Sequence, residues 1–96
     1  MINEMLVNPD PFARSFTLEI SCDQNLHAIV RLINSEDRII KLFSWYLLKG
    51  ANITNIDDIL FTSSGKCRLD VINQHGELLH SIDVTQSDQD DSNPNP

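Results

Sequence analysis

The chain has 96 residues and a formal net charge of −7, with 41% hydrophobic and 22% charged residues. That is one domain's worth of chain, and a domain this small buries only about 60–65% of its unfolded surface unless it pairs. The acidic balance excludes nucleic acid and anionic membrane as natural partners, since both recruit basic surfaces.

No apolar run approaches the ~20 residues of a membrane span. The first residues lack a basic start followed by an apolar core, so the expectation is a cytoplasmic protein. Cys22 and Cys67 are the only cysteines. In a reducing compartment they are expected as two buried thiols rather than a disulfide.

Residues 1–13 contain Asn8-Pro9-Asp10-Pro11 and read as a loose N-terminal arm. Residues 15–21 alternate, with Phe16, Leu18 and Ile20 on one side and Thr17 and Glu19 on the other, which predicts a half-buried strand. A turn at residues 23–25 leads into residues 26–33, LHAIVRLI. Their period fits a helix and a strand alike; length and the preceding turn select a strand.

Residues 34–50 carry the signals of a helix. Asn34 or Ser35 can cap its start, Glu36 and Asp37 add negative charge there, Lys49 lies near its end, and Gly50 can terminate it. At about 100° per residue, Ile39, Ile40, Leu42, Phe43, Tyr46 and Leu47 fall on one arc. Trp45 and Leu48 fall outside that arc, beside Lys41 and Lys49. They are therefore candidate interface residues, the alternative being that a loop or the N-terminal arm folds over Trp45.

Residues 51–62 read as a strand interrupted by a bulge or bend at Asp57-Asp58, with pairing resuming at residues 59–61. A turn at residues 63–66 precedes an alternating strand over residues 67–73. Gln74-His75-Gly76 turns the chain into a last strand over residues 77–84, and residues 85–96 read as a disordered acidic tail. The predicted fold is α+β: a mostly antiparallel sheet in ββαβββ order, spanning residues 14–84 and covered on one face by a single main helix.

No constellation with chemistry emerges. Adjacent carboxylates such as Asp57-Asp58 point to opposite faces of a strand, and His27, His75 and His80 lack ligand spacing. Ser64-Gly65-Lys66 precedes a strand where a phosphate loop needs a helix, and Cys67 lacks an orienting group for a histidine partner. No catalytic, cofactor-binding or metal-binding residue is predicted.

Residues 28–72 resemble the first half of an ACT domain. The resemblance rests on AIVRLI, the polar loop NSEDR, the segment IIKLFSWYLLKG, the junction GANITNI and the hairpin into CRLDVI. It implies a regulatory module that senses a small ligand and pairs through sheets or helices. Three functions follow as expectations: a non-enzymatic protein-binding or regulatory accessory domain that self-associates, an ACT-like sensing module, and an acidic inhibitor or immunity-type protein that blocks a partner enzyme. The first is preferred, with another protein or a second copy as partner and the small ligand left open.

Overall fold

The computed structural model of the protein describes residues 1–60 and 65–87. Its regular elements are β1 (Ile2–Asn8), β2 (Phe16–Cys22), β3 (Leu26–Ile33), β4 (Ile39–Leu47), β5 (Gly50–Ile56), β6 (Gly65–Ile72) and β7 (Leu78–Gln86), with no helix among the described residues. They form two antiparallel sheets, ordered β1-β2-β5 and β4-β3-β6-β7. The fold is therefore all-β, and the expected α+β layer with its main helix is overturned. The chain passes between sheets after β2, β4 and β5 and makes hairpins after β1, β3 and β6. This is the Greek-key wiring of immunoglobulin-like sandwiches.

Alternation builds the core. Along β2, Phe16, Leu18, Ile20 and Cys22 are buried while the residues between them are partly exposed. They meet Ala28, Val30 and Leu32 of β3, Leu69 and Val71 of β6, and Val84 of β7 in one hydrophobic cluster. Strands predicted at residues 15–21, 26–33, 67–73 and 77–84 correspond to β2, β3, β6 and β7, and the part of the predicted strand before Asp57-Asp58 corresponds to β5.

The predicted helix is the hairpin β3–β4 with the corner that follows it. Asn34 Oδ1 accepts hydrogen bonds from the backbone N–H of Glu36 (2.9 Å) and Arg38 (3.0 Å). A helix cap would use the same oxygen in nearly the same way. Asp37 then takes a left-handed conformation at φ 63°, and the chain turns back. The β6–β7 hairpin repeats the device: Asn73 Oδ1 accepts from His75 (2.8 Å) and Glu77 (3.0 Å), with Gly76 at φ 85°. Gly50, at φ 107°, ends no helix and instead turns the chain from one sheet to the other. Asn52 holds that corner, accepting from Leu48 N–H (2.9 Å) and donating to the Leu48 carbonyl (2.9 Å).

The supposed arm is also structured. Residues 2–8 form β1, and Phe12 is fully buried, with its ring 4.8 Å from that of Phe16. Phe12 N–H donates to the Thr85 carbonyl (2.9 Å) and Ser87 N–H to the Phe12 carbonyl (2.7 Å), so this segment closes the sandwich beside β7. Thr85 and Gln86, expected in the tail, belong to β7, and Gln86 is 1% exposed. Strand pairing does not resume at Ile59 and Leu60, and Phe61 lies outside the described residues; Asp58 is left-handed at φ 56° and Ile59 enters the core. Ser63 and Ser64 of the predicted turn at residues 63–66, and residues 88–96 of the predicted tail, lie outside the described residues.

Both cysteines are free and buried. Cys22 lies at the β2 end that pairs with Gly50, whereas Cys67 lies on the other sheet, opposite Val84.

Candidate protein-binding face

The outer face of the four-stranded sheet is where this sandwich departs from a water-facing surface. Register lines up its residues in rows. Leu42, Arg31, Asp70 and Ser81 form one row across β4, β3, β6 and β7. Ile39, Ile33, Arg68 and Asp83 form a second, and Ser44, Ile29, Ile72 and Leu78 a third. Tyr46 stands opposite His27 beyond them, with ring centroids 4.7 Å apart. The residues that point outward from a solvated sheet are normally polar. Here Ile39, Leu42, Tyr46 and Leu78 are each at least half exposed, and Leu79 is exposed as well.

At the centre of this apolar field lies a compact charge cluster. Asp70 is 2% exposed and accepts hydrogen bonds from Ser81 Oγ (2.7 Å), Arg68 Nε (3.0 Å) and Arg31 Nη2 (3.1 Å). Burial by itself would raise the carboxyl's pKa. The Ser81 and Arg68 hydrogen bonds, the Arg68 charge and the Arg31 hydrogen bond outweigh burial and hold it below the ordinary 3.8. Asp70 therefore stays ionised, and its own sheet satisfies it. Covering such a cluster costs less desolvation than covering an isolated charge, because the ions already face each other.

The four residues singled out in the sequence do not share one face. Trp45 and Lys41 are half-buried, in the same inward-facing register as Leu47, and the Trp45 ring sits 6.2 Å from that of Phe43. Leu48 and Lys49 are exposed at the corner before β5, where Lys49 N–H donates to Asn25 Oδ1 (2.7 Å). The outward residues of β4 are instead Leu42 and Tyr46, which the helical reading assigned to the core. The missed signal was the β-branched and aromatic content of IIKLFSWYLL, apolar at both parities.

Depressions also open among the described residues. A groove of about 510 Å³ opens at the end bearing the β2–β3 and β6–β7 turns, with His27, Tyr46 and His75 in its wall. Another of about 330 Å³ lies on the flank between β4 and β5, lined by Lys41 and Phe43 on one side and Thr54 and Asp57 on the other. Among the described residues, no three His, Cys, Asp or Glu side chains gather as a metal site would require, and no helix is long and apolar enough to cross a membrane.

Compared with known proteins, the chain matches no family model and no curated protein.

Proposed function

We propose that the protein is a non-enzymatic protein-binding module that holds another protein against the outer face of its four-stranded sheet. One observation carries this reading: Ile39, Leu42, Tyr46, Leu78 and Leu79 are exposed around a cluster in which Arg31 and Arg68 share the one carboxylate of Asp70. Contiguous apolar surface of this kind is costly to leave in water, and a rim of polar groups around it is the usual anatomy of a contact site. Asp83, opposite Arg68, and Lys66, opposite Thr85, supply such a rim.

The test uses the double variant Leu42→Asp with Leu78→Asp. Both side chains are 59% exposed, so the fold should tolerate the change with little effect on melting temperature. Immobilised wild type and variant are exposed to extract from the source cells, and bound proteins are compared by mass spectrometry. A protein held by the wild type and lost from the equally stable variant supports the reading. Identical retention by both would place the contact elsewhere.

A further inference from the structure

The sandwich has four edge strands, β1 and β5 in one sheet and β4 and β7 in the other. An edge exposes a row of unpaired backbone groups, and proteins blunt it with charge, proline, irregularity or a covering segment. β1 carries Glu4 and a register shift between Ile2 and Glu4. β4 carries Lys41, and its pairing with β3 shifts between Leu32 and Ile33. β7 carries Asp83, a shift near Ile72, and the covering segment at Phe12. β5 has none of these. Its sequence GANITNI holds no charge and no proline, and it pairs with β2 in unbroken register from Ile56 to Gly50.

We infer that β5 pairs antiparallel with β5 of a second copy of this chain, about a two-fold axis at Ile53. Two observations select a second copy over an unrelated strand. The first is self-complementarity at the centre: Ile53 is 64% exposed and would lie against its own counterpart, with Ala51 opposite Asn55 and Asn52 opposite Thr54. The second is charge. The same register, carried one residue past each end, sets Lys49 opposite Asp57 of the second copy, and does so twice. Both residues are exposed, so neither has to leave another burial site to meet its partner. A chain of net charge −7 pairs with itself only where like charges do not face each other, and this edge satisfies that condition. The two sheets then run together as six strands, β1-β2-β5 joined to its symmetry mate.

This edge belongs to the three-stranded sheet, so the inference stands apart from the binding face on the other sheet. The full-length chain is followed by sedimentation across a dilution series, with thermal melting as the control for folding. The wild type is expected to be a dimer that dissociates on dilution, and the Leu78→Asp variant, changed on β7 away from this edge, should dimerise as well as the wild type.

Ile53→Lys sets a charge against its own copy and should weaken dimerisation at least ~10-fold. Lys49→Asp and Asp57→Lys, each alone, bring like charges together twice and should weaken it about 10-fold. An equimolar mixture of these two variants restores both attractive pairs, and should recover affinity to within about threefold of wild type. A wild type that stays monomeric at high concentration overturns the inference. So does a dimer indifferent to Ile53→Lys, or a mixture no tighter than either variant alone.

Discussion

Replacing Asp70 by Asn tests the charge cluster at the centre of the proposed binding face. The substitution keeps the shape of the side chain and removes the anion from between Arg68 and Arg31. Asp70 accepts from Ser81 Oγ at 2.7 Å, Arg68 Nε at 3.0 Å and Arg31 Nη2 at 3.1 Å, and it is 2% exposed. Breaking a fully buried ion pair costs about 3–5 kcal/mol. Here the Arg31 and Arg68 side chains are 31% and 46% exposed and can turn toward water, so the expected loss is smaller, about 2 kcal/mol. For a domain of this size that lowers the melting temperature by roughly 8–16 °C.

Urea titrations of wild type and Asp70→Asn between pH 8 and pH 2.5 supply the second arm. The folded-state pKa of Asp70 lies below its ordinary 3.8, so its stabilisation is fully present above that value. It is lost as pH falls through the folded-state pKa. The gap between wild type and variant should therefore stay constant from pH 8 down to about 5 and shrink below the ordinary carboxylate range. A gap under about 0.5 kcal/mol at pH 7 would refute the cluster's role, and so would a gap that does not change with pH.

Two further substitutions probe the hairpins and the orientation of β4. Gly76 sits at φ 85° with open space around its missing Cβ, so Gly76→Ala should cost about 1–2 kcal/mol through backbone conformation alone, read from the urea midpoint; an unchanged midpoint would deny the left-handed turn. Leu47 is fully buried and Phe43 only half-buried, so Leu47→Ala should cost about 2–5 kcal/mol and Phe43→Ala distinctly less, measured by the same titrations; the reverse order would refute this orientation of β4.

Five of the seven strands were legible, and β2 and β6 most directly, because each has one buried face and one wet face, so a period of two stands out. Leu18 and Ile20 against Thr17 and Glu19 is such a case, and so is Leu69 and Val71 against Arg68. β4 lacks that contrast. Phe43, Trp45 and Leu47 point inward, Leu42 and Tyr46 point outward, and an element apolar at both parities satisfies a helical period by coincidence. Its flanks reinforced the error for chemical reasons. An Asn oxygen that accepts backbone N–H groups two and four residues on serves a hairpin turn as readily as a helix start, and a positive-φ glycine serves a sheet-to-sheet corner as readily as a helix end. β1 was hidden differently. Its register slips between Ile2 and Glu4, so the buried residues Ile2 and Met5 are not an even number apart. The candidate face was not legible at all, because reading Leu42 and Tyr46 as core removed them from the surface. The cross-strand meeting of Arg31, Asp70 and Ser81 depends on sheet order, which periodicity does not encode.

The same property that misled the sequence reading also bears on function. A strand that is apolar on both faces has an inner face the sandwich uses and an outer face it leaves in water, which stability alone does not call for in so small a domain. Selection for folding would favour polar residues at Leu42 and Tyr46, as it has at Thr17 and Glu19 on the other sheet. Under the proposed function, these are the side chains that meet another molecule. The proposed β5 pairing adds to this, since the edge lies in one sheet and most of the face in the other, the two meeting only where Leu42 and Asp57 line the β4–β5 flank. A dimer joined at Ile53 would carry two copies of the face on one rigid frame. Once one face is occupied on a partner with repeated or two-fold related sites, the second contact becomes intramolecular, and modest contacts of the Leu42 and Leu78 kind gain through effective concentration what each lacks alone.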